Sequence, residues 1–437
     1  MTIRKNDLSN NSRRDFIKKS MIVSAGISAG LFNVGNPGFA QNKDKIRVGL
    51  IGCGSRGSGA VRFCLSASEN VELTAMGDLF EDRLQSSLSG LQQALGEKIN
   101  VPEVARFTGL DAYKKVIESN VDLVMLTTPP GFRPEHFREA VENDKHVFME
   151  KPIAVDPVGV RSVIKSGELA AEKNLSVMSG LQYRKKDTHI HAMEEIHNRT
   201  IGMPIAANAE YLMGNIWYRE REPEMSEMEW QLRNWYYYTW LSGDFIVEQF
   251  IHNLDIIIWA MGALPESCTG MGARQKRTQS RYGNIYDQFS LEYEFPREVK
   301  VSARCRQMDG TWQNRGNSII GTDGKVEITP NSSVVQNHGS DKRKRYEDEG
   351  ESPHIVQQRR LIESIRNDSP VNETQLAADA TLMAVMGREA AYTGQMITWE
   401  EIKNSNLDLT PANIDMSKPL QHSVPEPGIT QLERTQG

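Results

Sequence analysis

The strand-like run Ile46-Arg47-Val48-Gly49-Leu50-Ile51 passes at once into Gly52-Cys53-Gly54-Ser55-Arg56-Gly57. A strand that ends in G-x-G-x-x-G and opens into a helix has few stable solutions. The first glycine makes the tight turn, the second lets a pyrophosphate approach the backbone, and the third lets helix and strand pack closely. The anion then rests on free N–H groups at the helix N-terminus. Asp78 closes the next strand pattern, Val71 to Met76, 21 residues after Gly57. A carboxylate there accepts hydrogen bonds from an adenosine ribose and repels a 2′-phosphate, which favours NAD over NADP. Arg56 and Arg83 are near enough in sequence to bind phosphate, so NADP stays open. The cofactor candidates from this stretch are Gly52, Gly54, Ser55, Arg56, Gly57 and Asp78.

The pattern continues as alternating strands and helices. Leu84, Leu88, Leu91 and Leu95 give Glu81 to Leu95 a helical stripe, and Asp111 can cap a helix to Glu118. Strand patterns follow at Val121–Leu126 and Lys145–Met149, with a helix at Glu135–Glu142 between them. Val158–Glu172 and Leu175–Met178 add a further helix and strand. Such alternation predicts an α/β Rossmann domain with a doubly wound parallel sheet over residues 45–179. Thr127, Thr128 and Pro129 end the strand across the switch point, where ligands bind, and become candidates for the nicotinamide wall.

After residue 180 the strands lengthen and follow one another, at Ile205–Leu212, Gln288–Phe295, Val299–Arg306 and Lys325–Ile328. Pro296-Arg297-Glu298 turns one pair and Gly321-Thr322-Asp323-Gly324 another. Residues 180–412 therefore read as an α+β domain with a mostly antiparallel sheet. Helices return at His354–Arg366 and Gln375–Tyr392. The charged run Asp341–Glu351 reads as a solvated loop, and 413–437 as a polar tail.

The chain has 437 residues and a net charge of −6, which disfavours nucleic acid as a partner. No apolar run reaches the ~18 residues of a membrane span. Four scattered cysteines without a C-x-x-C read as buried thiols. His191 and Glu195 have i,i+4 spacing, but Ile190, Met193 and Ile196 already give that helix a core stripe, and no metal site is expected. The N-terminus Ser12-Arg13-Arg14-Asp15-Phe16-Ile17-Lys18, a mildly apolar stretch and Gly38-Phe39-Ala40 resemble a twin-arginine export signal over residues 1–40. This predicts passage through the twin-arginine translocase to the periplasm. Without its six basic and two acidic residues the chain carries −10.

Glu150-Lys151-Pro152 follows the strand at His146–Met149. With Thr128-Pro129, His136, Ala140, Gly180-Leu181-Gln182-Tyr183-Arg184, His252-x-x-Asp255 and Gly321-Thr322-x-Gly324, it resembles the Gfo/Idh/MocA oxidoreductases over about residues 45–400. The resemblance implies hydride transfer between a nicotinamide and a sugar or polyol carbon. It also implies that the mostly antiparallel sheet is large and open-faced, and that the chain forms a homo-oligomer, dimer or tetramer, through the sheet domain. Glu150 and Lys151 join the cofactor candidates. Lys151 can hold a hydroxyl oxygen and stabilise a developing alkoxide; His252 can take the proton. Glu248 stands where many members have Asp, and can orient His252 or serve as base. Trp235, in the aromatic run Trp230–Trp240, can stack on a sugar or belong to the core. Tyr183, Arg184, Gln249 and Asp255 are further substrate candidates.

Export imposes a constraint on the cofactor, because no free nicotinamide pool is expected outside the cytoplasmic membrane. Tight binding before export is therefore expected, with reoxidation in each cycle. Two alternatives stand beside the dehydrogenase reading: a redox-neutral NAD-dependent glycoside hydrolase, and a non-catalytic sugar-binding protein with structural NAD.

Overall fold

A computed structural model describes residues 45–411, 413–418, 420 and 423–433. The export-signal expectation falls on residues outside these. The first unit runs β1 (Ile46–Ile51), α1 (Ser55–Ala67), β2 (Val71–Asp78), α2 (Glu81–Leu95), β3 (Arg106–Thr108), α3 (Ala112–Glu118), β4 (Leu123–Leu126), α4 (Arg133–Glu142), β5 (His146–Met149), α5 (Pro157–Glu172) and β6 (Val177–Ser179). The six strands are all parallel, in the order β3-β2-β1-β4-β5-β6. Parallel strands covered on both faces need near-continuous apolar runs. β1 and β4 supply them, with Val48, Leu50 and all of Leu123–Leu126 fully buried. The strand order reverses between β1 and β4, which opens the ligand crevice beyond their carboxyl ends.

The second unit contains α6 (Asp187–His197), β7 (Pro204–Met213), α7 (Glu227–Arg233), α8 (Thr239–Ser242), α9 (Phe245–Glu248), α10 (Ile251–Met261) and β8 (Ser267–Ala273). It continues with β9 (Gln288–Phe295), β10 (Val299–Gln307), β11 (Asn314–Gly321), β12 (Gly324–Ile328), β13 (Ser332–Asn337) and β14 (Arg343–Glu347). The last elements are α11 (Pro353–Arg366), α12 (Thr374–Thr393), β15 (Ile397–Thr398) and α13 (Trp399–Asn404). Nine strands form one sheet, ordered β14-β13-β12-β11-β7-β10-β9-β8-β15, antiparallel except for β7 against β10. In β9 the residues Phe289, Leu291, Tyr293 and Phe295 are buried while those between them are more open, so one face is core.

That core face rests on α12, which is buried along almost its whole length. Tyr293 donates to the Met383 carbonyl at 3.0 Å. A Cβ at Gly387 would collide with the Tyr293 hydroxyl, so the helix needs glycine there. Arg388, fully buried, donates to Val155 O at 2.7 Å and Gly243 O at 3.0 Å, which ties the two units together. α11 follows the second sheet in sequence yet packs on α1, adding Leu361, Ile362 and Ile365 to the first unit's core.

One expected loop is a strand. β14 lies within the charged run 341–351 and pairs with β13. Its residues are almost all exposed and it is an edge, where Lys and Arg discourage further pairing. Such a strand lacks the apolar alternation by which strands are read. The tail after residue 413 has no helix or strand among its described residues. It is nevertheless fastened, with Tyr286 donating to Pro425 O at 2.8 Å and Gln231 to Leu420 O at 3.0 Å.

Gly131 precedes α4, and a Cβ there would collide with the Trp240 carbonyl of the second unit. Gly131→Ala is expected to cost about 1–3 kcal/mol, as overpacking does. Gly90, exposed on α2 with nothing within 4 Å of an added Cβ, is the control. Gly90→Ala should stabilise by about 0.5–1 kcal/mol. Denaturant midpoints of the two variants check both signs.

Candidate functional site

The glycine turn is built as its chemistry requires. Gly52 has φ +96°, and a Cβ there would meet Thr128 N at 2.7 Å. A Cβ at Gly57 would strike Gly52 O and lie 2.6 Å from Thr127 Oγ1. Thr127 Oγ1 itself donates to Gly52 O at 2.6 Å, which locks the turn to the end of β4. Asp78 accepts from Cys53 N at 2.6 Å and Phe80 N at 2.9 Å, so its carboxylate is held at the crevice mouth. Burial pushes its pKa up against those two N–H groups and Arg83.

A cavity of about 610 Å³ lies over this turn. Gly52, Gly54, Ser55, Arg56, Gly57, Asp78, Thr127, Thr128 and Pro129 all line it, whereas Glu150 and Lys151 do not. Arg56 is not a free phosphate ligand. Its Nε donates to Glu150 Oε1 at 2.7 Å and Nη2 lies 2.6 Å from the same oxygen. Glu150 is 4% exposed, and a buried carboxylate needs such a partner. Arg83 is the better candidate: it lines the cavity, and its enclosed Nε has no partner among the described residues. Burial first, then the Arg219 charge, lowers its pKa.

The opposite wall of the cavity comes from the second unit, through Trp217, Tyr218, Arg219, Leu232 and Trp235. Trp235 thus faces the cofactor cavity, while Tyr236, Tyr237 and Trp240 of the same aromatic run are core. Arg233 fastens this wall, with two bonds to Asp82 at 3.0 Å and its guanidinium 3.9 Å from the Phe80 ring. None of these residues except Trp235 carries a sequence signal, because they reach the cavity only through the docking of the two units.

Lys151 and Glu248 meet across the units. Lys151 Nζ lies 2.8 Å from Glu248 Oε1 and also donates to the Glu248 carbonyl. Each side chain is 11% exposed. Arg133, wholly buried on α4, donates to the carbonyls of both Thr128 and Pro152, so it sets the ends of β4 and β5 together. The Lys151–Pro152 peptide is cis. Glu248 Oε2 and His252 Nδ1 are enclosed and have no hydrogen-bond partner among the described residues. Glu248 ends α9 and His252 lies in α10, with Gln249 and Phe250 breaking the helix between them. Desolvation, then the charges of Lys151 and Arg56, holds the His252 pKa well below its ordinary 6.5. The ring is therefore neutral near pH 7 and able to accept a proton.

A second cavity of about 170 Å³ opens at His252. Tyr183 and Gln249 line it as expected, together with Gln182, His189, Tyr211 and Arg315. The Tyr183 ring lies 5.1 Å from His252 and 4.9 Å from His189. Arg184 and Asp255 line neither cavity. They form a buried pair, with Arg184 Nε at 3.0 Å and 2.9 Å from the two Asp255 oxygens. Asp255 shares α10 with His252 and is held by Arg184 from the short turn Gln182–Lys185. Tyr211 and Arg315 were not legible: they lie on β7 and β11 and become neighbours only through strand register.

Comparison with known proteins agrees with this geometry. A family model described as "Oxidoreductase family, NAD-binding Rossmann fold" matches residues 46–181, and one described as "GFO/IDH/MocA C-terminal domain" matches 190–327. The chain is 24% identical over 365 residues to a glycosyl hydrolase family 109 protein of Shewanella pealeana, covering 76% of each. It is 25% identical over 372 residues to an α-N-acetylgalactosaminidase of Shewanella oneidensis, again 76% of each. Among solved structures, the aldose–aldose oxidoreductase of Caulobacter crescentus superposes with TM-score 0.64 at 18% identity, over 81% of this chain and 99% of that one. The scyllo-inositol dehydrogenase of Lactobacillus casei, with NAD(H) and scyllo-inositol bound, gives 0.62 at 17%, over 82% and 99%. At these identities the structures share the fold.

Asp78→Ala removes a carboxylate that accepts from two backbone N–H groups and stands where an adenosine ribose would be read. NAD affinity should fall roughly ten- to a hundredfold, the worth of one or two hydrogen bonds to a charged group. The preference for NAD over NADP should shrink with it. Quenching of Trp217 and Trp235 fluorescence on titration with each nucleotide measures both effects.

Proposed function

We propose that this chain, which belongs to the Gfo/Idh/MocA oxidoreductase family, transfers a hydride between tightly held NAD and a secondary hydroxyl of a sugar, polyol or glycoside. The observation that carries this reading is the Lys151–Glu248 pair with two orphaned acceptors beside it, Glu248 Oε2 and His252 Nδ1. They stand just outside the carboxyl end of β5, next to a turn shaped for a dinucleotide. Bound NAD supplies the hydride acceptor. Lys151 Nζ can donate to the substrate oxygen and offset the charge that develops as its proton leaves. His252, neutral near pH 7, can take that proton on Nδ1. Glu248 holds the ammonium of Lys151 in place through Oε1, and its Oε2, unpartnered among the described residues, leaves it able to act as an alternative base.

A second reading is favoured by the curated relatives, which carry the name of a glycosyl hydrolase family. In a redox-neutral cycle the same residues would oxidise C3 of a glycoside, allow elimination of the aglycone and addition of water, and then reduce the product. That cycle returns the cofactor to its starting state. A dehydrogenase would instead need a second carbonyl substrate or another acceptor. The Arg13-Arg14 motif supports export by the twin-arginine route, and export in turn favours a cofactor that stays bound. The wall of Trp217, Tyr218, Arg219 and Trp235 over the cofactor cavity supports retention. A homo-oligomer is part of the same reading.

A panel of sugars and glycosides, followed by nicotinamide absorbance and product mass together, separates the alternatives. Reduction without hydrolysis supports the dehydrogenase; hydrolysis without net reduction supports the glycosidase. Bound NAD that nothing reduces, with no hydrolysis, would leave a sugar-binding protein. Purification without added nucleotide should yield close to one nicotinamide per chain. Lys151→Ala should slow hydride transfer by about a hundredfold or more while NAD still quenches the tryptophans. Since His252 titrates well below 6.5, protonation should depress kcat/KM only on the acid side of that value. An acid limb centred at or above 6.5 would remove His252 as the base.

A further inference from the structure

We propose that Arg315 makes the smaller cavity a site for an acidic sugar, one whose ring carries a carboxylate. This deepens the reading above and rests on its assignment of that cavity to the substrate. The strand register sets Arg315 opposite Tyr211, and both line the cavity with His252. The adjacent Glu210 does not line it; it takes Arg304 and Asn314 Nδ2, the latter at 2.6 Å, as partners. Arg315 has no carboxylate partner among the described residues, although most arginines on this sheet have one or bond a carbonyl. Its charge is close enough to offset part of the upward push that burial gives the Tyr183 and Tyr211 phenols.

The rest of the wall sharpens the point. No Asp or Glu lines this cavity among the described residues. Carboxylates of the neighbouring helices bond fixed cations, Glu248 through Oε1 to Lys151 and Asp255 to Arg184. A cationic pocket without a counter-charge is stable in water only at its open mouth, and it gains a partner when an anion enters. Arg315 sits at that mouth, exposed, while Gln182 Oε1 and His252 Nδ1 are enclosed deeper and unpartnered. The two ends suit different parts of one ligand: hydroxyl protons for the inner acceptors, and an oxyanion for the guanidinium. A guanidinium fork matches a planar carboxylate through two parallel hydrogen bonds. One arginine with no lysine beside it suits a monoanion better than a phosphate dianion. A hexuronate, free or as a terminal residue of a glycoside, meets these terms; a sulfate monoester shares the charge but not the planarity.

The test uses matched pairs on the full NAD-loaded protein: galactose with galacturonate, glucose with glucuronate, and glucose 6-sulfate, each also as the methyl glycoside. Binding is read by calorimetry and turnover by nicotinamide absorbance and product mass. The acidic member should bind at least tenfold more tightly than its neutral partner, and the advantage should fall with added salt. In Arg315→Gln the acidic-to-neutral ratio should drop to near one, and Arg315→Lys should keep part of it. Retention of the bound nicotinamide, read by absorbance, verifies that each variant is folded. Equal binding of acidic and neutral sugars, or a ratio that Arg315→Gln leaves intact, overturns the inference even if sugars are oxidised. Acidic sugars bound through Arg315 but neither oxidised nor cleaved would uphold it while removing the catalytic reading. If sulfate but not carboxylate confers the advantage, the carboxylate assignment is wrong.

Discussion

The Lys151–Glu248 ion pair is the contact on which the site depends. Two charged side chains, each nearly out of water, are stable only while they face each other. Removing either partner of a buried pair costs on the order of 3–5 kcal/mol, because the other charge is left behind. The pair therefore does more than lower its own energy. It fixes the end of β5 against the end of α9, and so sets the distance between the nucleotide unit and the helix that carries His252. Arg133 supports it from below by holding the carbonyls of Thr128 and Pro152. Arg56 supports it from the side by neutralising Glu150, the residue before Lys151.

The surrounding electrostatics divide the crevice into two chambers. The larger one has Asp78 at one end and Arg83 and Arg219 near it, a mixed environment suited to a ribose and its phosphates. The smaller one has histidines, tyrosines and Arg315. Carboxylates of the region are spent on fixed cations, through Lys151–Glu248, Arg56–Glu150 and Arg184–Asp255. A chain with an acidic overall balance thus has a smaller cavity of the opposite character, and steering by net charge would work against an acidic ligand until it reaches the mouth.

Much of the first unit was legible because its signals are local. The alternating strands and helices, the glycine turn and Asp78 each follow from residues adjacent in sequence, and α2 spans Glu81 to Leu95 as its leucine spacing requires. Lys151, Glu248 and His252 entered through a resemblance; the fold pairs Lys151 with Glu248 across the units, and His252 lines the smaller cavity. What could not be read is long-range. Nothing local shows that Arg184 and Asp255 pair with each other, or that Arg56 pairs with Glu150. Tyr211 and Arg315 lie on strands paired across about a hundred residues of sequence, and β14 hides in a charged run that lacks apolar alternation.

The cover over the cofactor cavity follows from the same docking. Arg233 holds α7 to the segment just past Asp78, through Asp82 and the face of Phe80. The Arg233 bond keeps the Asp82 pKa low, so the clasp persists through the neutral range. Trp217 and Trp235 then form a wall that does not belong to the nucleotide unit at all. That wall is held over the nucleotide cavity by the docking of the two units. Parting them would expose Lys151 and Glu248 together and strip Arg388 of the carbonyls of Val155 and Gly243. The docking that pairs Lys151 with Glu248 is therefore the same docking that sets the wall over the nucleotide cavity.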